Sequence, residues 1–169
     1  MQTHFFTHPP AAIRHGSLSV PSAANRDYDA AKRYLSQDSV ERRLFERLEG
    51  ARDRHFFLRI DHRNDDRFDP NTDTIWWDPT SALTTTRGGR QSPALGLGHE
   101  IDHADEPAGR EDRLNNEADP RYDTREERRV ITGSETHAAR TLREGVRHDH
   151  AGTCYRVAGP TRLRPSTGA

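Results

Sequence analysis

The sequence contains only one cysteine, Cys154, and no long hydrophobic stretch. A single cysteine excludes a disulfide within the chain and a zinc site built from several cysteines. No apolar run approaches the roughly 18–20 residues that a membrane-spanning helix needs. The first ten residues lack a basic segment followed by an apolar one, so we expect no Sec-type signal peptide.

Lysine is almost absent, because Lys32 is the only one among 26 basic residues. A GC-rich genome explains this composition, since it favours arginine over lysine. The same scarcity would suit a bacterial protein that acts inside a eukaryotic cell, where lysines accept ubiquitin. The composition alone does not separate these two interpretations.

The chain has no large excess of positive or negative charge, since 27 acidic residues nearly balance 26 basic ones. The formal net charge of −1 gives no electrostatic case for binding nucleic acid or an anionic membrane. Only 31% of the residues are hydrophobic, so the core is small or part of the chain lies outside it. A chain of 169 residues favours one domain, which we expect to be a monomer.

The chain divides into three parts on its hydrophobic pattern. Residues 1–27 show no periodicity and are expected to form a flexible leader, which could serve as an export signal. Residues 28–160 are expected to form an α+β domain, and residues 161–169 a flexible tail. Alternating apolar residues predict strands at 56–60 and 74–77, and a short strand at 155–157.

Three helices are predicted inside the domain. Ser39 is expected to cap the first, whose Val40, Leu44 and Leu48 form an apolar stripe. Ser92 followed by Pro93 predicts the start of a helix over 93–105. Thr124 with Glu127 three residues later matches a capping box, and the helix that follows should extend to about residue 144, with Gly133 as a weak point.

The helix over 93–105 carries the motif His-Glu-Ile-Asp-His. His99 and His103 are four residues apart, so both rings can face one metal ion, and Glu100 can reach a water on that ion without binding the metal. The opposite face is apolar and should pack into the core; it consists of Ala94, Leu97, Ile101 and Ala104. Gly96 and Gly98 are expected where another backbone approaches closely.

Two histidines do not complete a catalytic zinc site, which usually has three protein ligands. A third histidine is absent at the spacing of the longer HExxHxxGxxH motif, because position 106 is Glu and position 109 is Gly. A carboxylate from the next helix is the alternative. Glu127 is preferred because it shares a face with residues expected to pack inward, while Glu126 and Glu135 remain open.

These segments resemble the NleD-like effector zinc metallopeptidases, which are related to peptidase domains of Rhs-type toxins. The resemblance covers about residues 40–160 and lies in four segments: the metal helix (92–104), a strand ending in Asp-Pro (75–79), the glutamate helix (126–135) and, more loosely, an Arg- and Tyr-containing segment (145–155). The sequence departs from the family at Asp102, where a small residue is common. The resemblance implies a zincin-like fold with a short antiparallel sheet.

The resemblance also implies a secreted bacterial effector that cleaves a protein of a host cell, such as a signalling protein. A bacterial secretion system would deliver it. The residues predict the chemistry independently. One Zn²⁺ held by His99, His103 and Glu127 would activate a water, and Glu100 would act as the general base.

An oxyanion donor is also required, and the candidates are Tyr155, His148, His150 and Arg147, with Tyr155 preferred. The strand over 74–77 could pair with an extended substrate. Two other functions stay open. One is a non-catalytic binding module stabilised by zinc, and the other is a metal-dependent nuclease, which the balanced charge disfavours.

Overall fold

Five strands form the larger sheet in a computed structural model, which describes residues 11–107 and 109–166. Their order is β1-β2-β3-β5-β4. Neighbours β1/β2 and β5/β4 are antiparallel, whereas β2/β3 and β3/β5 are parallel, so this sheet is mixed. The strand bounds are β1 Ala12–His15, β2 Leu18–Pro21, β3 Phe56–Ile60, β4 Arg67–Asp69 and β5 Thr74–Trp77.

A second sheet has three strands in the order β10-β6-β7 and is antiparallel throughout. It agrees with the prediction of a short antiparallel sheet. Its strands are β6 Ser81–Thr85, β7 Arg90–Gln91 and β10 Gly152–Arg156. Strands β8 (Ala118–Asp119) and β9 (Asp123–Thr124) form a further small hairpin. Together with the helices, these sheets define an α+β architecture, which confirms the predicted class.

The helices are α1 Asn25–Leu35, α2 Ser39–Gly50, α3 Pro93–Asp105, α4 Arg110–Asn115, α5 Arg125–Val130 and α6 Thr136–Leu142. A 3-10 turn at Ser22–Ala24 precedes α1, and a π turn at Ile131–Glu135 joins α5 to α6. No helix within the described residues has the length and apolar composition needed to cross a membrane.

The predicted flexible leader is wrong for residues 12–27. Strands β1 and β2 form a hairpin in the larger sheet, and α1 begins at Asn25. Leu18 and Val20 on β2 are fully buried, which explains why this segment is ordered. Residues 1–10 of the predicted leader lie outside the described residues.

The predicted flexible tail is also wrong for residues 161–166. Pro165 forms a β-bridge with Val157, and the backbone N–H of Ser166 donates to the carbonyl of Arg156 at 2.9 Å. These bonds hold the segment beside β10. Residues 167–169 lie outside the described residues.

Two helix starts can be compared with their predictions. The cap of α2 is Asp38 rather than Ser39, because the Asp38 carboxylate accepts from the backbone N–H groups of Val40 and Glu41 at 2.8 and 3.1 Å. The cap of α3 is Ser92, with Pro93 in the first turn, as predicted. Because α3 begins where the sequence predicts, His99 and His103 lie at the helical positions that the prediction assigned to them.

Helix α3 is the centre of the molecule, since almost all of its residues are buried. Its predicted apolar face is confirmed, because Ala94, Leu97, Ile101 and Ala104 are fully buried in the main hydrophobic cluster. Trp77 at the end of β5 donates from its indole N–H to the carbonyl of Pro93 at 2.8 Å. This bond ties the first turn of the helix to the larger sheet.

The glutamate helix is interrupted at Gly133, the predicted weak point. Gly133 has non-helical backbone angles (φ −99°, ψ −108°) inside the π turn. In a regular helix of about 3.6 residues per turn, Glu126 and Glu135 would lie on opposite sides. The wider π turn changes this phase, so both carboxylates reach α3.

Strand β5 is internal, with β3 on one side and β4 on the other. Its backbone groups are therefore used within the sheet. The expectation that residues 74–77 pair with an extended substrate is wrong for this reason.

Carboxyl side chains, and not backbone, approach the glycines of α3. A methyl group at Gly96 would meet the carboxylate of Asp66, and one at Gly98 would collide with the carboxyl group of Glu41. Glu41 projects from α2 and is fully buried. Neither of its oxygens has a hydrogen-bond partner among the described residues.

Replacing Glu41 tests the consequence of this burial. Burial raises the pKa of Glu41 from 4.5 to about 8, with the charge of Asp102 as a further cause. The folded carboxyl group therefore keeps its proton where the unfolded one loses it, so Glu41 makes folding less favourable as pH rises from 4.5 to about 8. In Glu41→Gln, thermal unfolding followed by circular dichroism should show a smaller fall in Tm over this range.

The difference should reach several degrees, since about 1 kcal/mol shifts Tm by about 2–4 °C for a chain of this size. Glu46→Gln makes the same replacement on the exposed face of α2 and should keep the wild-type pH dependence. Parallel curves for the wild type and Glu41→Gln would contradict the effect.

Candidate metal centre

His99, Glu100 and His103 are presented by α3 at the floor of a cavity of about 380 Å³. The two histidines are one helical turn apart, and their ring centroids are separated by 4.7 Å. Each residue is only 6% exposed. The helix therefore holds both rings and one carboxyl group at the same buried surface.

Glu127 completes a cluster of three metal-ligand types. One atom from each of His99, His103 and Glu127 lies within 4.8 Å of the others. The Nε2 atoms of the histidines are 3.0 Å apart, and they lie 3.1 and 3.2 Å from the two carboxylate oxygens of Glu127. The structure thus brings together the three residues that the sequence selected as ligands.

This geometry fits a zinc ion. Two nitrogens bound to one tetrahedral zinc at about 2.0–2.1 Å must be about 3.3 Å apart, close to the separations found here. The Oε2 atom of Glu127 is buried and has no hydrogen-bond partner among the described residues, although His99 is adjacent. A cation between these atoms would satisfy it, and two imidazoles with one carboxylate form a donor set typical of zinc.

Glu126 and Glu135, the other two ligand candidates, bind the far side of each ring. Nδ1 of His99 lies 2.7 Å from Glu135, and Nδ1 of His103 lies 3.0 Å from Glu126. These carboxylates place the proton of each neutral ring on Nδ1 and leave the Nε2 lone pair for a metal. All three glutamates therefore belong to the site, but only Glu127 lies at the converging Nε2 atoms.

The charges of the cluster are strongly coupled. Burial alone would lower the pKa of His103, but hydrogen bonds to Glu126 and Glu127 outweigh it and raise the pKa to about 9. The pKa of His99 is also raised, because the neighbouring carboxylates of Glu127 and Glu135 outweigh burial. Burial would raise the pKa of Glu127, but the two histidines lower it well below its usual value. A cation at Nε2 would compete with protons there.

Glu100 points into the same cavity without joining the three-residue cluster. Burial raises the pKa of its carboxyl group, and the charges of His99 and His103 oppose that rise. A buried carboxylate with a raised pKa is a stronger base than an exposed one, which suits it to accept a proton from water. Glu100 lies beside the histidines on the cavity side, and its role as a base stays a prediction.

Asp102, which the sequence left unexplained, forms an ion pair with Arg129 at 2.7 Å and accepts a hydrogen bond from Ser134. Arg129 also binds both carboxylate oxygens of Glu126, at 2.6 and 3.0 Å. Since Glu126 holds His103, the chain of contacts runs from Asp102 through Arg129 and Glu126 to the ring. Asp102 therefore positions a ligand and does not face solvent.

Glu135 is held by a similar network on the other side. Its Oε1 accepts from the amide of Gln91 at 2.8 Å, and its Oε2 lies 3.3 Å from Nη1 of Arg147. Arg147 also donates to the backbone carbonyl of His150. Arg147 thus binds both Glu135 and the backbone of His150. It positions His99 through Glu135.

His150 lies beside Glu127 in the lining of the cavity. Its Nε2 lies 3.5 Å from Glu127, and its Nδ1 lies 2.8 Å from the carboxylate of Asp123. Its backbone N–H donates to the carbonyl of Arg121 at 3.1 Å. Of the four predicted donor candidates, His150 combines a ring at the cavity with a partner that orients it.

Tyr155 does not reach the cavity, which corrects the sequence prediction. Side chains alternate along a strand, so Gly152 and Cys154 face the cavity and Tyr155 faces away. The Tyr155 hydroxyl donates to the carbonyl of Leu163 at 2.8 Å. His148 is likewise not among the residues that line the cavity.

Two residues at the site, one in the cavity lining and one behind His150, are not indicated by the sequence. Asp66 lies beside Gly96 and accepts from the backbone N–H of Asp78 at 2.7 Å, and burial raises its pKa well above the usual value. Asp123 reaches His150 from the β8–β9 hairpin. Both residues lie in short polar segments, where composition gives no indication of what they face.

No family model, no curated protein and no solved structure matches the chain. The resemblance to NleD-like metallopeptidases therefore stays a prediction based on the sequence motifs. The geometry of the cluster stands independently of that resemblance.

Arg129→Lys tests the positioning network. A lysine supplies one point charge and cannot bind Glu126 and Asp102 together as the planar guanidinium does. We expect zinc affinity, measured by competition with a chromophoric chelator, to fall by about 10–100-fold because the support of a ligand is lost.

Arg128→Lys is the matched control, since the Arg128 side chain is largely exposed and, among the described residues, pairs with Asp119 at 3.4 Å. It should bind zinc as the wild type does. Equal affinities for the wild type and Arg129→Lys, with the fold intact by circular dichroism, would contradict the network.

Proposed function

We propose that this protein is a zinc-dependent endopeptidase. The observation that carries the proposal is the cluster of His99, His103 and Glu127 at the floor of a cavity that Glu100 also lines. Three protein ligands with an open side are typical of catalytic zinc sites, whereas structural sites usually have four ligands and no open side. This difference favours an enzyme over a binding module stabilised by zinc.

His99, His103 and Glu127 would hold the metal. A zinc ion bound there supplies a Lewis acid, which lowers the pKa of a water to about 7 and polarises a carbonyl group. The buried carboxylates Glu126 and Glu135 fix the orientation of the two rings through Nδ1. The burial of the two rings and of Glu126 and Glu135 strengthens their interactions.

Glu100 is the group that moves protons. Its carboxylate accepts a proton from the attacking water and then donates that proton to the nitrogen of the leaving amine. Burial raises the pKa of Glu100, which makes its carboxylate a stronger base toward the water. Because Glu100 is not part of the ligand cluster, it is free to do so while the metal stays bound.

His150 is assigned the role that the sequence gave to Tyr155, that of hydrogen-bond donor to the oxyanion. Its ring lies on the open side of the cluster, 3.5 Å from Glu127. Asp123 lies 2.8 Å from Nδ1 and pairs with the doubly protonated form of the ring, in which Nε2–H can donate. A donor fixed in advance stabilises the charge that develops on the carbonyl oxygen.

The substrate class is part of the proposal. The balanced charge of −1 gives no basis for a nucleic-acid substrate, so a polypeptide is favoured over the nuclease alternative. The sequence resemblance to effector peptidases adds a host-cell protein as the target and a bacterial secretion system as the route of delivery.

Glu100→Gln is the first test. Removing the proton acceptor should lower kcat for cleavage of a denatured protein by about 10²–10⁴-fold while zinc binding and the fold remain. Cleavage is followed by mass spectrometry of the fragments, and zinc content by atomic absorption.

Asp105→Asn provides the control on the same helix, because Asp105 faces Arg47 at the surface, away from the cavity. It should cleave at the wild-type rate. A Glu100→Gln variant that cleaves as fast as the wild type would rule out the proposed role of Glu100.

His150→Ala tests the oxyanion assignment. We expect kcat/KM to fall by about 10²–10³-fold, because one pre-positioned donor is lost, with zinc affinity retained. His148→Ala, two residues away and outside the cavity lining, should keep wild-type activity. A fall in zinc affinity for His150→Ala would instead identify the ring as a fourth ligand.

A further inference from the structure

A second cavity, of about 450 Å³, lies at the carboxyl ends of the parallel strands β2, β3 and β5. Pro21 is the last residue of β2, Ile60 is the last residue of β3, and Pro79 follows β5 after one intervening residue. All three line this cavity, which we call the strand-end groove. Its volume is in the range of ligand sites, and sheets with parallel strands often bind ligands at this end.

The strand-end groove contains one charge without a partner. Its apolar walls are formed by Pro21, Ala23, Ala24, Ile60 and Pro79. Of the charged residues in its lining, Asp27 lies 3.7 Å from Arg26, and His62 lies 3.0 Å from the buried Asp78. Arg59 is exposed, and among the residues that the structure describes it has neither an ion pair nor a hydrogen bond. Apolar walls beside a free guanidinium group are complementary to an apolar partner that carries a carboxylate.

The exposed face of the larger sheet adds an apolar surface on the other side of Arg59. Side chains alternate along β3, so Phe57 and Arg59 lie on one face of the sheet, and Phe56 and Leu58 lie on the other. Phe56 and Leu58 are buried in the main hydrophobic cluster, whereas Phe57 is 36% exposed. Phe57 lies about 7 Å from Arg59 along the strand. This arrangement favours a partner in which apolar residues flank an acidic one.

Short stretches of chain separate the strand-end groove from the candidate metal centre. Between β3 and β4, His62 lines the groove and Asn64 lines the cavity of the metal centre. Between β5 and β6, Thr80 lines the groove, and the next residue, Ser81, lines the cavity. Two residues of extended chain cover at most about 7 Å. One polypeptide can therefore occupy both places with a short segment between them.

A row of side chains on the sheet face also leads from the groove to the metal centre. Arg59 lies opposite Trp76, and Trp76 lies opposite Arg67. The guanidinium group of Arg67 stacks 4.9 Å from the ring centroid of Trp76, and Arg67 lines the cavity of the metal centre. Two strand spacings separate Arg59 from Arg67 by about 10 Å. This continuity favours a polypeptide over a small free carboxylate as the occupant of the groove.

We propose that the strand-end groove is a second docking site for the polypeptide substrate and receives an acidic residue flanked by apolar ones. The inference rests on the proposed peptidase function and names a feature of the substrate outside the cleaved bond. The acidic side chain pairs with Arg59, one apolar neighbour enters the groove, and the other lies on Phe57. Because the anchor and the cleaved bond belong to one chain, even a weak anchor raises the effective concentration of that bond at the metal centre.

The test uses the wild-type, zinc-loaded protein and a synthetic peptide that spans a bond cleaved in reduced, alkylated serum albumin. Leu-Asp-Phe is attached to either end of the peptide through Gly-Ser linkers of two, four or eight residues. A four-residue linker spans about 10–12 Å, close to the separation of Arg59 and Arg67. Matched peptides carry Leu-Asn-Phe, which has the same size and no charge. At one end of the peptide, KM should be about three- to tenfold lower with Asp than with Asn, and kcat should be similar.

Substitutions of Arg59 identify the group that binds the carboxylate. Arg59→Gln should remove the difference between the Asp and Asn peptides, and Arg59→Glu should instead prefer a peptide that carries Leu-Lys-Phe. Both variants should cleave the peptide without an anchor at the wild-type rate, because Arg59 lies outside the metal centre. Arg42→Gln is the control. It removes an exposed arginine of α2 that lines neither cavity, and it should keep the wild-type preference for Asp.

The outcomes separate the docking site from the peptidase function. Cleavage with equal KM for the Asp and Asn peptides at every linker length overturns the docking site and leaves the peptidase function standing. A preference for Asp that persists in folded Arg59→Gln or Arg59→Glu overturns the groove as its location. If free acetyl-Leu-Asp-Phe binds in isothermal titration calorimetry but does not lower KM when attached, the groove binds small acids and the substrate-docking proposal is overturned. No cleavage of albumin contradicts the peptidase function itself, and the docking site with it.

Discussion

The contact between the two histidine rings of α3 and the carboxylates of the glutamate helix determines how the rest of the structure is arranged. His99 and His103 are each bound on one side by a buried glutamate, and both face Glu127 on the other. Charges buried this deeply are costly unless each has a partner. The arginines that hold Glu126 and Glu135 meet this requirement, so the site is supported on both sides.

The fold supplies these partners from distant parts of the chain. The larger sheet and α1 and α2 bury the apolar side of α3, which leaves its polar side to the cavity. The π turn at Gly133 then rotates the second half of the glutamate helix, so that Glu135 reaches His99 while Glu126 reaches His103. The three-stranded sheet closes the cavity with β10, and the loop before β10 carries His150 to its open side.

The features that could be predicted from the sequence are local. The bounds of α3 follow from the Ser92 cap, and the position of its two histidines follows from helical spacing. The remaining features depend on pairing between distant segments. Strand β2 is ordered because β3 lies beside it, and the roles of Glu126 and Glu135 depend on a π turn that periodicity does not reveal. The prediction that Tyr155 reaches the cavity is wrong because neighbouring residues of a strand lie on opposite faces, and Tyr155 lies on the face away from the cavity.

The central claim is that one zinc ion is bound by His99, His103 and Glu127. A crystal structure of the zinc-soaked protein, with anomalous scattering recorded on both sides of the zinc absorption edge, tests it most directly. The account predicts a single strong anomalous peak about 2.0–2.1 Å from each Nε2 atom and about 2.0–2.2 Å from the Glu127 carboxylate. A peak at other residues, or no peak between the two rings at saturating zinc, would contradict it.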